Sequence, residues 1–530
     1  MLRRTLPVAA FVLTAVSAAA CSSADPSSDP AVGDVAEVVM PGKADDYASP
    51  TSREYRLWGE GTIELAAEWA DESANDRQER AEEMLGYYLK AYSHFINVYV
   101  MNKSHDDANA DYCGFSSVVR QMTHDGALTP VGDDGLTWTF HWEIEIGGPN
   151  NLLSQLDVER RDDGVRTFAV KMPVLSESQL EGGYYSKTFD PDSYEGDLQD
   201  LVVAIAAEES SIDAYPQYQE MFADGKLEIG IIVGGDYNEA RWDLTTAEEL
   251  FDWLKGEGYQ HPANAYTELT LDSPPFTGTF DADGETIALE ITLLYPDIVP
   301  DAELSDLEDK IVEAYQTMDV LLYSGHAGLD ANYSGVVYHY NPRHAISAFE
   351  LAKRDLPDKY QLYLFSGCKT YSAYPDAVYT SETKTTANLD IISTVSFGWS
   401  SMRTETNRWL IEKLIATRSG THDPLTYLEI LKRVNAGGNR NVYYGVHGLD
   451  DNPHLNPYAD LDTLCQACTT SSECPGEGNR CVSLGAARAC AAECTDDDGC
   501  PEGYKCNQVA DSGWISGKQC VPTSYQCESP

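Results

Sequence analysis

At 530 residues the chain exceeds what one ordinary hydrophobic core holds, so two or three domains are expected. Acidic residues outnumber basic ones 86 to 36 and the formal net charge is −50, which argues against a nucleic-acid partner. A polyanion would be repelled over most of such a surface, and the plainest use of the charge is solubility.

The chain begins with a transport signal. Arg3 and Arg4 precede an apolar stretch, residues 6–16, that ends in Ala18-Ala19-Ala20-Cys21. Residues 1–21 resemble a bacterial lipoprotein signal, which implies that Cys21 is lipidated after cleavage; Ala18 stands where that signal usually has Leu, so plain secretion is the alternative. No other run approaches the ~20 apolar residues a membrane helix needs, so membrane contact is expected only through the lipid anchor. Residues 22–50, rich in Ser, Asp, Pro, Ala and Gly, read as a flexible tether.

Residues 51–196 mix patterns and predict an α+β domain. Residues 74–97 carry Met84, Leu85, Tyr88 and Leu89 at helical spacing among charges. Residues 136–146 alternate Trp138, Phe140, Trp142, Ile144 and Ile146 with polar neighbours, as a strand with one wet face does. A second strand is expected over 165–174, and no catalytic constellation is visible here.

Residues 197–460 change character. A helix is expected over 197–222, then a strand over 227–233 ending in Gly234-Gly235-Asp236. An amphipathic helix follows over 245–256 with Thr246 as its N-cap, and a strand over 287–294. Helix 305–317 leads into strand 320–323, helix 343–354 into strand 362–365, and a strand over 388–397 comes next. Helices over 409–416 and 425–434 close the domain. Strands alternating with helices of ten to fifteen residues indicate βαβ units and a mostly parallel sheet with helices on both faces.

Thirteen cysteines divide unevenly: ten lie between Cys465 and Cys527, and the others are Cys21, Cys113 and Cys368. The dense set predicts a disulfide framework over 461–530 and an oxidising compartment. Glu473-Cys474-Pro475 and Gly499-Cys500-Pro501 occupy equivalent places in a tandem repeat. Zinc at Cys465-x-x-Cys468 is the rival reading, disfavoured because no well-spaced histidines accompany it. The only cofactor suggested is a structural calcium at Asp281-Ala282-Asp283-Gly284-Glu285, a run too short for an EF-hand loop.

Two stretches carry chemistry. Asp-Val-Leu-Leu-Tyr-Ser-Gly-His326-Ala327 and Gln-Leu-Tyr-Leu-Phe-Ser-Gly-Cys368 are each a short apolar run cut by Ser-Gly and followed by a reactive residue. That is the pattern of a buried parallel strand delivering a side chain to its carboxyl end, the edge where α/β sheets bind ligands. A thiol with an imidazole is a nucleophile with its base, the thiol pKa falling from about 8.5 to as low as about 3–4 beside a histidine. The backbone N–H groups of Ala327 and Cys368 are candidates for an oxyanion hole. Read singly, such a cysteine is inert packing and such a histidine a turn residue; a Cys113–Cys368 disulfide is the rival for the thiol. His447-Gly448 competes as the base, while His339 and His344 fall in the solvated crossover.

An apolar strand ending in Ser-Gly-His326 and, about forty residues on, one ending in Cys368 resembles the clan CD cysteine peptidases, the group of caspases, metacaspases, legumain and gingipains. The secreted bacterial gingipains are nearest. The resemblance covers roughly residues 227–458 and implies a caspase-like sheet, a Cys368–His326 dyad, protein or peptide substrates, and an S1 pocket walled by Trp399. It places Asp236 or Arg241 where these enzymes keep a charged specificity residue, an acid favouring basic P1 side chains and an arginine acidic ones. Two positions depart from the family: Ala327 replaces a usual Gly, and Gly367 a commoner Ala. The resemblance therefore implies an exported or surface-anchored cysteine endopeptidase; the alternative is a catalytically inactive cell-surface binding lipoprotein.

Overall fold

The computed structural model describes residues 47–103, 118–119, 123–183, 189–208, 212–327, 335–368, 370–372, 374–396, 398–436, 443–485, 487–497, 499–511 and 514–527. The signal with Cys21, most of the tether, Cys113 and Phe397 lie outside the described residues.

The first unit runs β1 (Ser52–Glu64), α1 (Ala74–Lys103), β2 (Val118–Val119), β3 (Thr123–Val131), β4 (Thr137–Pro149), α2 (Leu152–Gln155), β5 (Glu159–Arg160), β6 (Arg166–Pro173), α3 (Glu177–Gly182) and β7 (Leu198–Ala207). Its antiparallel sheet has the order β2-β4-β1-β7-β6-β5, with β3 on β4. Trp138, Phe140, Trp142, Ile144 and Ile146 of β4 are buried with Met84, Tyr88 and Tyr92 of α1, so the alternation read from the sequence is the core face. The helix expected over 197–222 is strand β7 in its first part, and only Tyr218–Met221 is helical among its described residues. Leu201, Val203 and Ile205 are buried at period two, and β7 sits between β1 and β6, so this unit ends after residue 207 rather than at 196.

The second unit runs α4 (Tyr218–Met221), β8 (Lys226–Val233), α5 (Trp242–Gly256), β9 (Phe276–Ala282), β10 (Glu285–Leu294), α6 (Leu304–Thr317), β11 (Val320–Ser324), β12 (Gly335–His339), β13 (His344–Ser347), α7 (Ala348–Ala352), β14 (Gln361–Ser366), α8 (Tyr374–Val378), β15 (Leu389–Thr394), α9 (Arg403–Leu414), β16 (Thr417–Arg418), β17 (Thr421–His422), α10 (Tyr427–Val434) and β18 (Tyr444–His447). The central sheet has the order β18-β15-β14-β11-β8-β10-β9. Its five inner strands are mutually parallel and its two edges antiparallel, a mixed sheet. Every residue of β11, β14 and β15 is buried, which is why these runs show no alternation.

Three local expectations change. Arg241 in the left-handed region (φ 46°), not Thr246, precedes the first turn of α5, and Thr246 is a buried helical residue whose hydroxyl donates to the Trp242 carbonyl. The helix expected over 343–354 is a hairpin strand, β13, followed by the short α7 capped by Ser347. The acidic run at 281–285 is the β9–β10 turn, with Asp283 and Gly284 both at positive φ (50° and 82°).

The tail contains β19 (Arg480–Leu484), β20 (Ala487–Ala491), β21 (Tyr504–Asp511) and β22 (Trp514–Pro522), paired as two hairpins. Cys468–Cys481 and Cys474–Cys490 cross-link the first, Cys494–Cys506 and Cys500–Cys520 the second, and Cys465–Cys527 joins the ends. Each half thus uses the same pairing, and Cys490 belongs wholly to the first. Five disulfides suggest an extracellular environment. No helix among the described residues is long and apolar enough to cross a membrane.

Candidate functional site

Taking the inner strands in chain order, β8, β10, β11, β14 and β15 lie as 2-1-3-4-5. The order reverses between β8 and β11, and in open α/β sheets the crevice at the carboxyl ends beside that reversal takes the ligand. Val233, Ser324 and Ser366 stand in one register row at this rim. Pairing continues into the loops, Gly234 N–H donating to the Ser324 carbonyl (2.8 Å) and Gly325 N–H to the Ser366 carbonyl (3.0 Å). A Cβ on Gly234 would come within 2.8 Å of the Gly325 Cα, so the close approach of these loops requires glycine.

On this row stand three reactive side chains. His326 Nε2 lies 3.1 Å from Asp236 Oδ1, the histidine following β11 and the aspartate β8. That carboxylate oxygen also accepts from the Asn238 N–H (2.9 Å) and Nδ2 (2.7 Å). Burial works to raise the Asp236 carboxyl, but the bonds from His326 and the Asn238 N–H, with the charges of His326 and Arg403, reverse this and hold it at about 2. An ionised acid on Nε2 fixes the tautomer and leaves Nδ1 with the lone pair. The ring is tilted against Tyr237 (centroids 4.7 Å) and Tyr340 (5.4 Å), while the His326 carbonyl accepts from the Tyr323 hydroxyl (2.6 Å). Tyr323 Oη in turn accepts from the Val337 N–H (3.1 Å), tying the histidine loop to the β12–β13 hairpin.

Cys368 follows β14 as a partly buried thiol, outside the five disulfides, its Sγ 3.8 Å from the Gly398 carbonyl. Its turn is braced from below: Thr394 Oγ1 donates to the Gly367 carbonyl (2.7 Å) and Thr370 Oγ1 to the Phe365 carbonyl (2.7 Å). The cysteine and histidine loops touch, because a Cβ on Gly367 would fall 2.9 Å from that of Ala327. The Tyr237 phenol, tilted against the imidazole, is raised by burial first and then by the charges of Tyr340, Asp236 and Cys368.

The two candidate specificity residues are otherwise engaged. Asp236 is the imidazole's partner, and Arg241 grips Asp243 through Nε and Nη2 (both 3.0 Å) and Asp297 (2.7 Å). Trp399 follows Gly398, half-buried and packed on the central core. His447 is fully buried on β18 against Ser393 Oγ (2.9 Å), opposite Ile391 and away from the rim, and His339 bonds the Pro342 carbonyl within the hairpin.

Beneath the rim lie groups the sequence did not flag. Ser324 Oγ accepts from Asn407 Nδ2 (2.7 Å), Ser366 Oγ meets the Tyr444 hydroxyl (2.6 Å), and Arg403 opens α9 nearby. The three rim residues, by contrast, share one sequence signal: glycine follows each of β8, β11 and β14 and leads directly into Asp236, His326 or Cys368. Searches of the sequence against protein-family models and against curated proteins return no match.

Proposed function

We propose that the protein is a cysteine endopeptidase of the caspase-like kind, acting through Cys368, His326 and Asp236. The observation that carries this reading is the Asp236–His326 hydrogen bond at the strand-order reversal, with a thiol on the neighbouring strand end of the same row. His326 Nδ1 takes the thiol proton, and Asp236 stabilises the imidazolium formed. The sulfur attacks a peptide carbonyl, the C–N bond breaks, and the imidazolium returns its proton to the leaving amine. Water then hydrolyses the thioester, releasing the acid and restoring the thiol. Backbone N–H groups of Ala327 and Cys368 are assigned to the carbonyl oxygen, such donors being worth on the order of 10²–10³ in rate.

The sheet order and the paired glycine turns support a caspase-like fold. The disulfide tail supports an exported protein, and Cys21 is the proposed lipid attachment point. Casein hydrolysis by the full chain tests the reading. Hydrolysis abolished by Cys368→Ala and by His326→Ala, and iodoacetamide labelling of Cys368 ahead of Cys113, are the expected results. A wild-type chain without hydrolysis and with a sluggish Cys368 would instead be a surface binding protein.

A further inference from the structure

The central domain buries one arginine at this rim without an ion pair. Arg403 is 6% exposed, forms no salt bridge within 4.0 Å among the described residues, and its Nη1 has no hydrogen-bond partner there. Burying a guanidinium is costly unless negative charge compensates it.

Its position follows from the helix. Asn407 Nδ2 binds Ser324 Oγ, the last residue of β11, and also the Arg403 carbonyl (2.7 Å each). Arg403 lies one turn earlier on the same face of α9, so the amino end of this helix sits at the end of β11. Upstream, the chain reaches Arg403 from Gly398, whose carbonyl faces Cys368 Sγ (3.8 Å). We infer that Arg403 is a positioning residue of this site, a fixed buried cation that favours the ionised forms of Asp236 and Cys368.

Surrounding groups agree. The Arg403 charge helps hold the Asp236 carboxyl low. The Tyr323 and Tyr444 phenols, raised chiefly by burial, are both lowered by the Arg403 charge and raised by that of Cys368. Among the described residues, other charges nearby are His326, paired with Asp236; Arg343, which also acts on Tyr323; and Asp243 of α5, neutralised by Arg241. Asp236 Oδ2 and Asn407 Oδ1 are buried without hydrogen bonds, so the floor leaves two acceptors unsatisfied beside an unsatisfied donor.

The inference rests on the peptidase reading only in supposing that the Cys368 thiolate is used. The test is the pH profile of iodoacetamide alkylation at Cys368, followed by peptide mass mapping on the full chain with its disulfides intact. Arg403→Met, which keeps volume and removes charge, is expected to raise the midpoint by about one pH unit and to slow alkylation about tenfold below it. Arg403→Lys is expected to restore at least half of that shift. An Arg403→Met midpoint equal to wild type overturns the inference. Should that variant not fold by circular dichroism, Arg403→Gln, which keeps a polar planar head and removes the charge, decides, with a midpoint raised by about one pH unit expected and a midpoint equal to wild type overturning the inference. A wild-type midpoint near the free-thiol value of about 8.5 without casein hydrolysis sinks the peptidase reading and Arg403's role together. A depressed wild-type midpoint that Arg403→Met leaves unmoved sinks the Arg403 role alone.

Discussion

The central sheet buries an aspartate at each rim, and the two are driven in opposite directions. At the amino end of β15, Asp390 accepts from the Tyr360 and Tyr427 hydroxyls and from Asn452 Nδ2 (2.5, 2.6 and 2.6 Å), all neutral donors. Burial outweighs them and pushes its pKa from 3.8 up to about 7. At the carboxyl rim, Asp236 is also buried, yet an imidazole, an N–H and a nearby guanidinium hold it at about 2. Burial is therefore common to both aspartates, and of the two only Asp236 has electropositive partners. An ionised carboxylate held beside an imidazole is what the proposed proton transfer at this rim requires.

The sharpest way to break the comparison is Asp236→Asn. Removing the acid that orients a catalytic imidazole is expected to cut casein hydrolysis on the order of 10³–10⁴-fold. A loss below tenfold would assign Asp236 to structure alone.

Stability against pH separates the rims next. Asp390 has a folded pKa raised from 3.8 to about 7, so its contribution is complete below the lower value and is lost as pH rises through the upper. Asp390→Asn should abolish that decline between pH 4 and pH 7, read from urea midpoints at several pH values. Asp236 carries the reverse sign: its contribution is present above 3.8 and fades as pH falls through about 2. Asp236→Asn should flatten only the acid limb. Equal slopes in variant and wild type would remove the distinction drawn between the two ends.

The smallest expected effect concerns how the reactive loops fit. Ala327 and Gly367 each depart from the caspase-like pattern, and the 2.9 Å approach of a residue-367 Cβ to Ala327 makes them complementary. Gly367→Ala should cost about 1–3 kcal/mol by overpacking, measured by thermal unfolding. Adding Ala327→Gly should recover most of that, a coupling between neighbours that additive variants would lack.

Much of the site was legible because its signals are local. Fully buried strands wrote themselves as apolar runs, and Ser-Gly before His326 and Cys368 marked where each strand stops. Asp236 carried the same punctuation, but its role did not follow, since its partner lies 90 positions away. Arg403 and Asn407 gave no signal, being polar residues in the first turns of an ordinary helix. The strand β7 was misread because its partners β1 and β6, not its own neighbours, decide its conformation.

The amino-acid sequence by itself thus determined an acidic chain, a tail closed by repeated local cross-links, and a run of buried strands followed by reactive residues. Tertiary structure alone decided which strands lie side by side. That choice set an aspartate against the histidine, turned Arg241 into a clamp on Asp243, and brought a buried cation beneath the rim. Periodicity and turn chemistry act over a few residues, whereas strand order is settled by the packing of the whole core, which no short stretch of chain encodes.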